Sequence, residues 1–168
     1  MTASSRGPAA GFGDPASSER AIENLIAAYA ELVDDGDFAG VGRLLADAVF
    51  TGGSGSARGP QEIEKMLREN VIVYDDGTPR TKHLTTNVAI EVDEHAGTAA
   101  ARSHFTVVQA APGLALQAIV SGRYRDRFER RDGRWRFVER LVRTDRVGDV
   151  RGHLRRAAGA GDAHWASH

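Results

Sequence analysis

The sequence predicts an α+β fold: three N-terminal helices packed in a strongly curved antiparallel sheet, together a cone-shaped α+β barrel. Three observations predict it. Apolar residues in the first half recur at the helical period, and in the second half they alternate at period two. Turn signals at residues 93–97 and at Arg131-Asp132-Gly133 divide the second half into long strands. No linker and no internal repeat interrupts the pattern between residues 14 and 147.

Asp14-Pro15 reads as a cap followed by proline at the first helical position. Ile22, Leu25, Ile26, Tyr29, Leu32 and Val33 then form one apolar stripe. Asp34-Asp35-Gly36-Asp37 ends this helix, and Asp37 caps a second that carries Phe38, Val41, Leu44 and Leu45. Residues 48–51 make a short strand and residues 52–56 a flexible glycine-rich loop, a candidate lid. Gly59-Pro60 opens a third helix with Ile63, Met66 and Leu67 inward, and residues 75–79 are a loop. Strands follow over residues 83–92, 98–109, 114–130 and 134–147. On the first of these His83, Thr85 and Asn87 share one face, with Val88, Ile90 and Val92 on the other. The domain is expected to span residues 14–147, between a disordered segment at 1–13 and a flexible tail at 148–168 with a weak helix over 150–158.

Composition excludes several classes. With 168 residues, 41% of them hydrophobic and 27% charged, the chain suits one globular domain. A net charge of −1 argues against a nucleic-acid binder. The chain has no cysteine, so disulfide and thiolate chemistry are excluded. No apolar run approaches the ~20 residues that cross a bilayer, and the first residues lack the basic and apolar regions of a signal peptide. The expectation is a cytoplasmic protein without membrane or nucleic-acid partners.

Three residue groups carry chemistry in principle. Asp34 at the end of the first helix reads either as a turn residue or as the partner of a base. His83 reads as a surface strand histidine or as part of a polar pocket floor. Arg140 competes with Arg123, Arg125, Arg127, Arg130, Arg131, Arg134, Arg136, Arg143 and Arg146, most of which are expected to point outward and pair with Asp126, Glu129, Glu139 and Asp145. Arg140 shares its face with Val138 and Val142, as an inward arginine would. No histidine spacing matches a metal motif. His95, His153, His164 and His168 fall in turns or the tail and are given no role, and His104 is expected on the outer face.

The chain resembles the nuclear transport factor 2-like superfamily in its SnoaL-like branch, which includes polyketide cyclase, scytalone dehydratase and hexachlorocyclohexane dehydrochlorinase types. The segments that carry the resemblance are Ile22-x-x-Leu25-x-x-x-Tyr29, Asp34-x-Gly36-Asp37-Phe38, residues 44–50, Gly59-Pro60-x-Glu62-Ile63, His83-x-x-x-Asn87, Gly122-Arg123-Tyr124-x-Asp126-x-Phe128 and Trp135-x-Phe137-x-x-Arg140. The match runs from about Glu19 to Asp145. It departs from the dehydratase type in lacking its tyrosine pair and second histidine, with Phe50 near the place of one tyrosine.

The resemblance implies a cofactor-independent lyase or isomerase with His83 as base, Asp34 orienting it and Arg140 stabilising the developing anion. Val33, Phe50, Met66, Leu67, Phe105 and Tyr124 are the expected walls of a pocket for a small, largely apolar, cyclic molecule. No metal and no cofactor is expected. The outer sheet face is expected to form a homo-oligomer, dimer or trimer. Two alternatives stand beside this: a non-catalytic small-molecule-binding module, and a small subunit of a larger complex, like the β-subunit of ring-hydroxylating dioxygenases.

Overall fold

The computed structural model describes residues 15–155. Helix α1 (Pro15–Asp34) begins at the predicted proline; its expected cap, Asp14, lies outside the described residues, as do residues 1–13. The helix ends in a Schellman turn. The Gly36 N–H donates to Val33 O and the Asp37 N–H to Leu32 O, at 3.1 and 2.9 Å. Gly36 takes φ 73°, and a Cβ there would meet Gly77 O at 2.3 Å, so only glycine fits this turn against the 75–79 loop. Asp37 then caps α2 (Phe38–Leu44), its Oδ1 accepting from the Gly40 N–H at 2.8 Å.

Two short strands follow, β1 (Val49–Gly52) and β2 (Gly55–Arg58), and then α3 (Pro60–Asn70). The long strands are β3 (Thr81–Asp93), β4 (Thr98–Ala111), β5 (Leu114–Arg131) and β6 (Arg134–Val147). They build one six-stranded sheet in the order β2-β1-β6-β5-β4-β3. The sheet is curved and unclosed, and the three helices pack against it in an α+β arrangement. It is antiparallel except at one seam, where β1 runs parallel to β6. Ile22, Ile26, Tyr29 and Val33 of α1 join Phe105, Ile119, Tyr124, Phe128 and Phe137 of the sheet in the core. Each such side chain contributes about 1.5–3 kcal/mol by leaving water.

Three sequence expectations are corrected. Residues 52–56 are not a loop lid: Gly52 and Gly55 face each other across a tight hairpin, and Ser56 joins β2, its hydroxyl 2.8 Å from Thr51 Oγ1. A strand with one buried side chain, Ala57, carries no apolar alternation to reveal it. Residues 148–155 are not a free tail or the start of a helix. They make one turn and fold back, with Val150 and His153 buried and Leu154 bridged to Val71. The rest of the expected helix and tail lies outside the described residues.

The third correction concerns the phase of β3. A bulge between Thr86 and Ala89 shifts its register, and Asn87 sits there at φ 53°. His83 and Thr85 lie opposite Val107 and Phe105 on the inner face, and after the bulge Ile90 and Val92 lie opposite Ala101 and Ala99 on that same face. Asn87 and Val88 are exposed. Asparagine tolerates this left-handed backbone, whereas a β-branched residue does not. Asn87→Val should therefore cost about 1–3 kcal/mol and Asn87→Gly much less. Urea denaturation of the two variants beside the parent chain checks this.

Candidate active site

Asp34 and His83 meet where α1 ends and β3 begins. The Asp34 carboxylate, 7% exposed, accepts three hydrogen bonds. Thr81 Oγ1 donates to Oδ1 at 2.8 Å, the His83 N–H donates to Oδ2 at 2.8 Å, and His83 Nδ1 lies 2.6 Å from Oδ1. Burial is the largest influence on the Asp34 carboxyl and raises its pKa. The ring hydrogen bond, charge and amide of His83 and the Thr81 hydroxyl together outweigh it and hold the group below its ordinary value. An ionised carboxylate only accepts, so Nδ1 carries the proton. In the neutral ring Nε2 then holds the lone pair. The His83 side chain keeps 9% of its exposure.

Arg140 points inward but does not join this pair. A register shift on β6 leaves Val138 opposite no residue of β5, so Phe137 and Arg140 face the core and Val138 does not share their face. Arg140 is fully buried opposite Asp126, with Nε 3.4 Å from Oδ1. Among the described residues, none of its three guanidinium nitrogens and neither Asp126 oxygen has a hydrogen-bond partner. Aromatic faces hold the charge instead: Cζ lies 4.0 Å from the Tyr29 centroid and 3.9 Å from that of Tyr124. Burial, partly offset by Arg140, raises the Asp126 carboxyl to about 6. Burial likewise raises both tyrosine hydroxyls, which feel the charges of Arg140, Asp126 and Asp34. The two tyrosines thus pack on the arginine and also feel the charge of the dyad's carboxylate.

Asp126 corrects the expected outward ladder. Arg123 does pair with Asp145 across the outer face, by two bonds of 2.9 and 2.7 Å. Asp126 instead faces in with Tyr124 and Phe128, as its spacing Tyr124-x-Asp126-x-Phe128 already implies.

The expected wall residues divide. Tyr124 stacks on Phe105, with centroids 4.6 Å apart, and Tyr29 lies 6.2 Å from Phe50 and 6.0 Å from Tyr124. These rings and Val33 are buried in the interior, and Tyr29, Tyr124 and Phe137 are the rings that face Arg140. Leu67 is buried and Met66 half-buried on α3, which packs chiefly on α2 and β2. Two surface depressions open away from the dyad, along the outer side of β3, β4 and β5 near Glu91, Ala100 and Arg127.

Sequence reasoning gave His153 no role, yet its ring lies 6.5 Å from that of His83, inclined at 66°. No local pattern signals this, because long-range backbone bonds seat the segment. Burial, with a smaller contribution from His83, pushes the His153 pKa down to about 4.

The model of the SnoaL-like domain family matches residues 14–141. Among solved structures, a Mycobacterium tuberculosis protein of unknown function is 27% identical, with 78% of each chain covered and a TM-score of 0.64. A Novosphingobium aromaticivorans protein provisionally named a scytalone dehydratase is 25% identical, covering 80% of this chain and 88% of that one, with a TM-score of 0.63. LinA shares the fold at 23% identity and a TM-score of 0.64, with 79% of this chain and 89% of that one covered. Among curated proteins no relative is detected. None of the described helices is long and apolar enough to cross a membrane.

Two stability experiments test these assignments. Asp126→Leu leaves Arg140 buried without its counter-charge and should cost about 3–5 kcal/mol, whereas Asp126→Leu with Arg140→Met should recover most of it. Urea denaturation of the single and double variants measures both. His153, lowered from 6.5 to about 4, binds fewer protons folded than unfolded, so it withdraws stability as pH falls from 6.5 towards 4. Asp126, raised from 3.8 to about 6, acts oppositely: its contribution is full below 3.8 and lost as pH rises through 6. His153→Leu removes only the first effect. Its stability should fall less than the parent's between pH 6.5 and 4, by up to about 3 kcal/mol, measured by denaturation at both pH values.

Proposed function

Because the chain belongs to the SnoaL-like domain family, within the nuclear transport factor 2-like superfamily, and carries a buried Asp–His pair, we propose that it is a cofactor-independent lyase or isomerase. The substrate is small, largely apolar and cyclic. The observation that carries this reading is the Asp34–His83 hydrogen bond of 2.6 Å. His83 Nε2 takes a proton from a carbon of the substrate. Asp34 fixes the ring's tautomer and stabilises the imidazolium that forms.

Arg140 supplies positive potential behind Tyr29 and Tyr124. Direct contact between its guanidinium and a substrate anion requires one of the rings packed on it to move aside. Val33, Phe50, Phe105 and Tyr124 form the apolar side of the site, with Met66 and Leu67 at its far edge. The homo-oligomer is assigned to the exposed outer face of β3 to β6, and the protein to the cytoplasm.

The close packing around Arg140 favours a second reading, a non-catalytic module in which the Arg140–Asp126 pair is structural. Activity separates the two. The parent chain should release or exchange a carbon-bound proton from members of a panel of cyclic ketones, hydroxyketones and halides, followed by proton NMR in D2O. His83→Ala should slow this by about 10²–10⁴-fold, and Asp34→Asn should lower kcat with little change in KM. Parent-like rates in His83→Ala would leave the non-catalytic reading.

A further inference from the structure

A second histidine stands over the dyad, and the fold invests several contacts in keeping it there. The Ile72 N–H donates to His153 O at 2.8 Å, and the Arg155 N–H donates to Asn70 O at 2.9 Å. The Tyr74 hydroxyl and the Gln109 side-chain amide both donate to Gly152 O, at 2.7 and 2.8 Å. Gln109 is fully enclosed and also donates to Pro79 O at 3.0 Å. These bonds reach the segment from β4, from the 71–79 connection and from the end of α3. They fix a stretch with no regular secondary structure, and with it an imidazole 6.5 Å from that of His83.

The placement has a cost. His153 is 6% exposed, and its Nδ1 is buried without a hydrogen-bond partner among the described residues. An unpaired buried polar atom is destabilising, a cost that an apolar side chain of similar size would avoid. The cost is lower for a bare lone pair than for an unpaired N–H, so the proton belongs on Nε2. The lowered pKa of about 4 makes the ring neutral at neutral pH. The two rings are then complementary. His83 offers a lone pair at Nε2, and His153 offers an N–H. The ring centroids lie 6.5 Å apart, near enough for one small molecule to make a hydrogen bond of about 2.7–3.2 Å with each ring.

We infer that His153 is a catalytic hydrogen-bond donor that holds the carbonyl oxygen of a substrate whose neighbouring C–H is deprotonated by His83. The C–H bond breaks and its proton moves to His83 Nε2. The electron pair left behind forms the C=C bond of an enolate, and the carbonyl π pair moves onto the oxygen facing His153. Nothing is oxidised or reduced. A neutral imidazole suits this task, because it polarises a carbonyl without giving up its own proton. The inference rests on His83 acting as base, and it narrows the substrate class to enolisable carbonyl compounds.

The test uses the full chain and two probes: 2-tetralone, whose α-hydrogens exchange in D2O, and 4-nitrophenolate, which mimics an enolate oxygen. His153→Leu should slow α-exchange by about 10²-fold and weaken 4-nitrophenolate binding at least about tenfold. His153→Gln, which keeps an N–H donor, should recover part of both. The low-field proton resonance of the Asp34–His83 bond, retained in His153→Leu, shows that the dyad is intact. Parent-like exchange and binding in that variant overturn the role of His153 and leave His83 as base. Parent-like exchange in His83→Ala overturns the base itself. A parent chain that neither exchanges 2-tetralone nor binds 4-nitrophenolate overturns the enolisable-carbonyl class.

Discussion

The Asp34 carboxylate is the joint on which this structure turns. It closes the last turn of α1 and accepts bonds from Thr81 and from both the amide and the ring of His83. A buried carboxylate without partners would be costly enough to force protonation. Three donors reverse that balance and keep it charged. The same bonds fix where α1 crosses the edge of the sheet, because they couple the helix end to the first residues of β3. Gly36 completes the joint by letting the chain leave the helix directly against Gly77. Stability and chemistry therefore draw on one contact set. The bonds that anchor the helix also decide which nitrogen of His83 is free.

Irregularities in the strands decide which side chains share the interior with that joint. The bulge at Asn87 brings the apolar end of β3 onto the same face as His83. The shift near Val138 turns Phe137 and Arg140 inward. One row across the sheet then reads Ala101, Asp126, Arg140 and Phe50, each opposite the next. The row sets a charge pair among aromatic rings, where desolvation would be prohibitive for either ion alone. The faces of Tyr29 and Tyr124 supply part of what water would have supplied.

Local signals made much of this legible. The apolar stripe of α1, the Asp37 cap, the Gly59-Pro60 helix start and the Arg131-Asp132-Gly133 hairpin are short-range patterns, and each stands where it was read. Asp34 and His83 were legible as a pair only through resemblance, since neither residue distinguishes itself from a turn or a surface strand by its neighbours. Period-two reading failed at Val138 and beyond Asn87 because a bulge changes the phase without changing composition. Strand β2 escaped notice because backbone pairing to β1, not apolar burial, makes it a strand. His153 was unreadable for a further reason. Its position depends on Ile72, Tyr74 and Gln109, which are distant in sequence and reach the segment through its backbone.

The separation of the dyad from Arg140 has a chemical consequence. A guanidinium in direct contact with Asp34 would compete with His83 for the carboxylate and weaken its hold on the imidazolium. Here Arg140 is compensated by Asp126 instead, and the faces of Tyr29 and Tyr124 pack on its guanidinium. Burial raises both tyrosine hydroxyls, so they stay protonated at neutral pH. They can donate hydrogen bonds but cannot act as competing bases. Among the described residues, two imidazole nitrogens of the interior then hold a free lone pair, Nε2 of His83 and the buried Nδ1 of His153, and burial takes away the basicity of the second, whose pKa falls to about 4. A proton taken from a substrate has a single destination, which is the condition that general-base catalysis sets on its site.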